Sequence, residues 1–156
     1  MILEKYIPLA SPDIQKKDIA EVVSVLESGM LIQGEKVASF ERKISEYIDS
    51  NHAIAVSNGT ATMHILLHAL GVGAGDEVIV PAFSYVATAN VVELVGGTPI
   101  FVDIDLSTYN IDVHQIESKI NEKTRAIIPV HEFGLACDIT RVKEIAHRNG
   151  LEIIED

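Results

Sequence analysis

The feature that most constrains the fold is an alternation of short apolar runs with amphipathic stretches of helical period, from about residue 53 onward. Continuous apolar runs are typical of strands buried on both faces of a parallel sheet. Strands that alternate with helices predict an α/β fold with a doubly wound, mostly parallel sheet. The predicted strands are Ala53–Val56, Glu77–Val80, Pro99–Val102, Ala126–Val130 and Leu151–Ile154. The predicted helices are Thr60–Leu70, Tyr85–Val95, Val113–Ile120 and Ile139–Arg148.

The first fifty residues follow a different pattern, which predicts two amphipathic helices. Ser11 and Pro12 supply an N-cap and a first-turn proline for the first helix, and Gly29 is its stop signal. The apolar positions of the second helix are Val37, Phe40, Ile44, Tyr47 and Ile48. The loop Gly29–Gly34 between them is either a packing connection or part of a site. The sequence therefore predicts a helical segment over 1–50 and an alternating segment over 51–156.

Composition excludes several classes of protein. The 156 residues are 47% hydrophobic, enough for one globular domain with a substantial core. A net charge of −11 disfavours a surface that binds nucleic-acid phosphates. No apolar run is long enough to span a membrane, and residues 1–11 lack the features of a signal peptide. Cys137 is the only cysteine, which agrees with a reducing compartment, so we expect a cytoplasmic protein.

The run Val56–Ala61 joins an apolar strand to an apolar helix through a turn of small residues. The first amides of a helix have no intrahelical partner and lie at the positive end of its dipole, so they can bind a phosphate. Gly59 permits close approach of the backbone, and the hydroxyls of Ser57 and Thr60 add donors. The alternative is an ordinary N-cap, because Ser and Asn are also favoured there for structural reasons.

Ligands of open α/β sheets bind outside the carboxyl ends of the strands, where this chain also places aromatic and acidic residues. Phe83 and Tyr85 follow the second predicted strand and can stack on a flat ring. Asp156 follows the last one and can keep a pyridine nitrogen protonated. This set suits a phosphorylated, nitrogen-bearing ring. The structural alternatives are a core residue for Tyr85 and a polar strand end for Asp156.

Other motifs point less clearly to chemistry. The cluster Gly71–Gly75 follows a helix and precedes a strand, the reverse of a dinucleotide fingerprint, so we interpret it as a turn. His131, Glu132, Cys137 and Asp138 are close in sequence, but their spacing fits no common metal site, and we predict none. The serines lack a glycine-flanked nucleophile elbow, which argues against serine hydrolase chemistry.

An ordered set of motifs resembles the nucleotide-sugar aminotransferase family (DegT/StrS). The motifs are Ser28–Gly34, Ser57–Ala61, Gly75–Phe83, Phe101–Asp105, Pro129–His131 and Ile154–Asp156. The resemblance implies a pyridoxal phosphate (PLP) enzyme of the aspartate-aminotransferase fold type, with a three-layer α/β/α large domain. It also implies transfer of an amino group, usually from glutamate, to a keto sugar attached to a nucleotide, by a homodimer.

The resemblance assigns roles to individual residues. It implies that the amides of Gly59, Thr60 and Ala61 hold the cofactor phosphate. The stacking aromatic falls on Tyr85, with Phe83 as second choice, and the carboxylate that pairs with the pyridinium nitrogen falls on Asp156.

The family's Schiff-base lysine, the rest of its large domain and its small domain fall beyond Asp156. No lysine of this sequence lies at a predicted strand end, so we expect the isolated chain to lack transaminase activity. We also expect it to self-associate, because an incomplete sheet leaves apolar surface and a strand edge uncovered. The alternative function is a non-catalytic module that binds phosphate or PLP, or that mediates regulatory dimerisation.

Overall fold

The computed structural model describes residues 11–156. The start of the predicted helical segment, most of the stretch 1–11 and Lys5 lie outside the described residues. The chain divides into two compact units, of which the first ends at Ala55 and the second is Val56–Asp156.

The first unit contains helices α1 (Lys16–Ser28) and α2 (Glu35–Tyr47). Helix α1 begins later than the Ser11-Pro12 signal predicts, because Gln15 is its N-cap and the Asp18 carboxylate accepts a hydrogen bond from the Gln15 amide at 2.8 Å. It ends as predicted at Gly29, which has a left-handed φ of 70°. Neither helix contains a buried residue.

The second unit is a four-stranded parallel sheet with helices, which confirms the predicted α/β class. The strand order is β2-β1-β3-β4. The strands are β1 (Glu77–Pro81), β2 (Thr98–Val102), β3 (Thr124–Ile127) and β4 (Glu152–Ile153). The α-helices are α3 (Gly59–Ala69), α4 (Ala87–Leu94), α5 (Val113–Ile116) and α6 (Ile139–Asn149), with 3₁₀ turns at Glu117–Lys119 and Glu132–Gly134.

Two buried clusters cover the two faces of this sheet. Successive side chains of a strand point to opposite faces, and β1 accordingly places Val78 and Val80 in one cluster and Ile79 in the other. The first cluster, which we name the α3–α4 core, includes Met63, Leu67, Val91, Val92 and Ile154. The second, the α5–α6 core, includes Ile116, Ile127, Val142 and Ile145. Helices on both faces of a parallel sheet make this unit a three-layer α/β/α arrangement.

Three predicted elements differ from the structure. The stretch Ala53–Val56 is not a strand, since it has no ladder partner among the described residues, and the Ala55 amide donates to the Glu41 carboxylate at 2.9 Å instead. Helix α4 starts at Ala87 rather than Tyr85, which leaves Tyr85 in the loop after β1. The helix predicted over Val113–Ile120 is α5 continued by a 3₁₀ turn.

Candidate functional site

The carboxyl ends of the four strands meet at one edge of the sheet because all of the strands are parallel. Hydrogen bonding extends beyond β4 to the predicted site residue Asp156. Its amide donates to the Pro129 carbonyl at 3.0 Å, and its own carbonyl accepts from the His131 amide at 3.2 Å. The main chain of Asp156 is therefore fixed by the segment that follows β3.

The turn before α3 is a helix cap that leaves two backbone amides open. Asn58 is the N-cap, and its Oδ1 accepts a hydrogen bond from the Ala61 amide at 2.9 Å. The amides of Gly59 and Thr60 are in the first turn, where no intrahelical acceptor exists. A Cβ at Gly59 would meet nothing within 4 Å, so the space beside these amides is open. An anion can reach both amides directly, whereas it reaches the Ala61 amide only if Asn58 turns away.

The two candidate aromatic residues have different surroundings. The Tyr85 side chain is 79% exposed, so it is not a core residue of the described chain. Phe83 is 44% exposed, and its ring centroid lies 5.7 Å from that of Tyr109 and 6.4 Å from that of Phe133. Phe83 thus belongs to an aromatic cluster, and Tyr85 is the ring more available to a ligand.

The Asp156 side chain is held by a buried hydroxyl. Thr88, in the first turn of α4, is only 2% exposed, and its Oγ1 lies 2.7 Å from Asp156 Oδ2. The Ser84 hydroxyl lies 3.3 Å from Thr88 Oγ1. The described residues form no hydrogen bond with Asp156 Oδ1. One carboxylate oxygen is therefore anchored, and the other remains for a ligand.

The phosphate turn, the Tyr85 loop and Asp156 belong to the same face of the sheet. Met63 lies one turn after Gly59 in α3, Ala87 is the first residue of α4, and Ile154 precedes Asp156 by two positions. All three are buried in the α3–α4 core. Because strand residues two apart point to the same face, Asp156 is on this side as well. The elements that carry the predicted residues therefore pack on one face of the sheet.

Glu155 points to the opposite face and has different partners. Its carboxylate lies 3.1 Å from His131 Nε2 and 3.8 Å from Lys143 Nζ on α6. His131 Nδ1 accepts a hydrogen bond from the Cys137 amide at 3.1 Å, so in the neutral ring Nε2 carries the proton and donates to Glu155. Lys143 therefore lies on the face away from Asp156.

The residues weighed as metal ligands do not assemble into a site. Among residues 11–156, no group of three or more His, Cys, Asp or Glu side chains is arranged to hold a metal ion. Burial, together with the nearby carboxylates of Glu155 and Asp138, raises the pKa of the Cys137 thiol, which disfavours the thiolate needed for ligation or attack. Glu132 is 9% exposed, and its Oε1 has no partner in the part of the chain that the structure describes.

Two further features concern the class of protein. Residues Gly71–Gly75 form the predicted turn, in which Gly71 and Gly75 have φ values of 76° and 94°. In the described range 11–156, no helix is both long and apolar enough to cross a membrane.

The described site fits a phosphorylated pyridine ring. It offers open space beside two amides without intrahelical acceptors, an exposed tyrosine ring, and a carboxylate with one oxygen anchored. Sequence reasoning missed Thr88 and Ser84. Their spacing of four residues was visible, but nothing in the sequence indicated that Thr88 bonds to a residue 68 positions away.

Comparisons with known proteins show what the chain is similar to. A spore coat polysaccharide biosynthesis protein (SpsC) of Bacillus subtilis is 40% identical over 151 residues, which cover 97% of this chain and 39% of that protein. An aminotransferase from Psychrobacter cryohalolentis has a TM-score of 0.90 and 36% identity, over 96% of this chain and 38% of that one. A putative sugar aminotransferase from Streptococcus pneumoniae in its PMP form has a TM-score of 0.89 and 36% identity, over 96% of this chain and 42% of that one.

These comparisons also set the scale of the resemblance. The chain spans about 39% of the length of the Bacillus subtilis relative. The family consists of PLP-dependent enzymes, and the Streptococcus relative is known in both PLP and PMP forms. The family model for DegT/DnrJ/EryC1/StrS aminotransferases matches residues 12–156, and the chain therefore belongs to this family.

Proposed function

We propose that this chain supplies the phosphate, ring and ring-nitrogen contacts of a PLP-dependent aminotransferase that transfers an amino group from glutamate to a nucleotide-linked keto sugar. One observation supports this assignment above the others. The start of α3, the loop before α4 and the end of β4 meet over a single buried core, so three different contacts to one ring system come from one face.

The contact to the phosphate is the first part of the proposal. The amides of Gly59 and Thr60 donate to phosphate oxygens, aided by the positive end of the α3 dipole. The Ala61 amide joins them when the Asn58 side chain leaves its capping position. The open space beside Gly59 lets the phosphate approach the backbone closely.

The ring contacts are the second part. The Tyr85 ring packs against one face of the pyridine and fixes its plane. Asp156 Oδ1 accepts a hydrogen bond from the ring nitrogen and keeps a proton at that atom, because an ionised carboxylate favours a neighbouring positive charge. The bound cofactor supplies a protonated ring that accepts electrons when an amino donor loses its Cα proton. The work of this chain is to orient that ring and hold its charge.

A reactive amine is the part that the second unit does not supply on this face. Lys16, Lys17, Lys36 and Lys43 belong to the first unit, Lys119 and Lys123 flank the turn before β3, and Lys143 pairs with Glu155 on the opposite face. Lys5 lies outside the described residues. We propose that the reactive lysine is contributed from outside residues 1–156 and that the isolated chain does not turn over.

The proposal extends to assembly and location. We propose a homodimer, because helices α1 and α2 bury none of their apolar residues within their own unit. We propose a cytoplasmic enzyme, because the one cysteine and the net charge of −11 suit a reducing, soluble environment.

Binding of PLP tests the site without requiring turnover. The dissociation constant of the 156-residue chain for PLP, measured by absorbance and tyrosine fluorescence, should rise about 10- to 100-fold in Asp156→Asn, since a hydrogen bond to a charged group contributes about 1.5–3 kcal/mol. The matched control is Glu155→Gln, which changes the adjacent carboxylate on the other face. Equal affinities for the two variants would contradict the assignment of Asp156.

The phosphate turn has its own matched pair. Gly59→Val should weaken PLP binding by filling the space that the phosphate needs. The control is Gly73→Val, which changes a glycine that also lacks a positive φ but lies in the turn before β1. Retained PLP affinity in Gly59→Val would exclude this turn as the phosphate site. Separately, turnover of glutamate and a nucleotide keto sugar by the repurified chain alone would refute the lysine argument.

A further inference from the structure

A buried threonine in the first turn of α4 has no role in the contacts proposed above. Thr88 is 2% exposed, although a buried hydroxyl costs free energy unless it is hydrogen-bonded. Its partner is Asp156 Oδ2 at 2.7 Å, a distance typical of a strong hydrogen bond to a carboxylate. The bond joins residues 68 positions apart in sequence and connects α4 to the end of β4.

The direction of each hydrogen bond follows from which of the three side chains carry a proton to donate. An ionised carboxylate only accepts hydrogen bonds, so the single hydroxyl proton of Thr88 is donated to Asp156. Thr88 Oγ1 can then only accept from Ser84, whose hydroxyl lies 3.3 Å away. The three residues form a directed chain in which Ser84 donates to Thr88 and Thr88 donates to Asp156.

This series of hydrogen bonds restricts the rotation of the Asp156 carboxylate. Rotation about the terminal bond of an aspartate is broad and weakly restrained, so the main-chain bonds of Asp156 do not by themselves aim its oxygens. The bond from Thr88 fixes Oδ2 against α4, and the geometry of the carboxylate then directs Oδ1 away from it. The described residues form no bond to Oδ1.

We propose that Thr88 is a positioning residue, whose hydroxyl holds Asp156 so that Oδ1 faces the ring nitrogen of the bound cofactor. The inference rests on the proposed function and adds to it a residue that does not touch the cofactor itself. Ser84 supports Thr88 through the weaker bond at 3.3 Å.

The test compares two ligands that differ at one ring atom. PLP carries the ring nitrogen, and 1-deaza-PLP has a C–H group in its place, with the phosphate and aldehyde unchanged. Dissociation constants of both are measured for the wild-type chain, Thr88→Val, Thr88→Ser and Ser84→Ala, with melting temperatures as a check on folding. Thr88→Ala serves as a second hydroxyl-free variant if Thr88→Val does not fold.

We expect Thr88→Val to weaken PLP binding about 5- to 20-fold, because Asp156 loses a charge-assisted hydrogen bond, and to leave 1-deaza-PLP binding unchanged. Thr88→Ser retains the hydroxyl and should bind PLP like the wild type. Ser84→Ala should have a smaller effect than Thr88→Val. In an Asp156→Asn background, Thr88→Val should produce little further loss, since the group that it positions has already changed.

The outcomes separate this inference from the proposed function. Equal weakening of both ligands by Thr88→Val, or failure of Thr88→Ser to restore affinity, would make Thr88 merely structural and overturn the inference. If Asp156→Asn weakens PLP selectively and neither hydroxyl-free variant does, only the role of Thr88 fails. If the wild-type chain binds PLP and 1-deaza-PLP equally and Asp156→Asn changes neither, the proposed function fails with it.

Discussion

Replacing Asn110 by alanine should destabilise the loops at the carboxyl edge by an amount that the structure predicts. Asn110 is 4% exposed, its Oδ1 accepts from the Glu132 amide at 2.9 Å, and its Nδ2 donates to the Leu135 carbonyl at 3.0 Å. Asn110→Ala leaves both backbone groups without this partner. A buried unsatisfied group costs about 1–3 kcal/mol, and the carbonyl of half-exposed Leu135 costs less because water can reach it. We therefore expect a loss of about 2–4 kcal/mol in the free energy of unfolding.

Urea denaturation at one fixed protein concentration measures this change, with an unchanged m-value showing that the same surface unfolds. Exchange of the Glu132 amide hydrogen should also accelerate. The control is Asn149→Ala. This variant removes one hydrogen bond within the helix, which the Asn149 side-chain amide donates to the Ile145 carbonyl at 2.8 Å. If Asn110→Ala lowers the free energy of unfolding no more than Asn149→Ala does, then the two hydrogen bonds of the Asn110 side chain do not hold these loops together.

Three further predictions concern strain, pH and association. Phe133 has a φ of 53°, in the left-handed region, so Phe133→Gly should be more stable than Phe133→Ala by about 1 kcal/mol. Chemical denaturation measures both variants, and a more stable Phe133→Ala would refute this strain argument. Hydrogen bonds from the Gly73 amide and Arg125 lower the pKa of Asp76 from 3.8, so the advantage of the wild type over Asp76→Asn in thermal melts should be full above pH 3.8 and shrink below it. A pH-independent difference would contradict that assignment. The exposed apolar face of α1 should make the chain self-associate, so light scattering should give a mass above that of a monomer. Leu26→Lys should reduce this mass. A wild-type chain that is monomeric at micromolar concentration would refute the prediction.

The elements that sequence analysis located correctly are those whose signal is local. The strands β1 and β2 are continuous apolar runs, and α6 has a strong amphipathic period with Asp138 as its N-cap and Gly150 after its end. The predicted strand Ala53–Val56 has the same kind of apolar composition. It is not a strand because strand formation also requires a neighbour to pair with, and pairing is decided by tertiary structure.

Some features of the candidate site could likewise be predicted from the sequence, and others could not. Gly59, Thr60 and Asp156 could be proposed from the sequence because each follows a predicted strand at an edge where α/β proteins bind ligands. The capping role of Asn58 could also be proposed, as the alternative to a phosphate site. The bond from Thr88 to Asp156 could not, since it depends on tertiary structure and on side-chain rotamers. Tyr85 lies in a loop because α4 starts two residues later than predicted. The sequence could not show this, because helix boundaries are the least certain part of a sequence-based prediction.

The register of β4 determines which of two neighbouring carboxylates can serve the proposed ring contact. Asp156 and Glu155 are adjacent, yet the pleat of the strand sends Asp156 towards Thr88 and Glu155 towards His131 and Lys143. A slip of one residue would exchange the two faces, and it is opposed by the pairing of β3 with β4 and by the backbone bonds of Asp156. Burial of Ile154 in the α3–α4 core opposes the slip that would bring Glu155 to its position, because that slip would bury a charged side chain. The hydrophobic pattern that folds the sheet therefore also selects the carboxylate that faces the proposed cofactor.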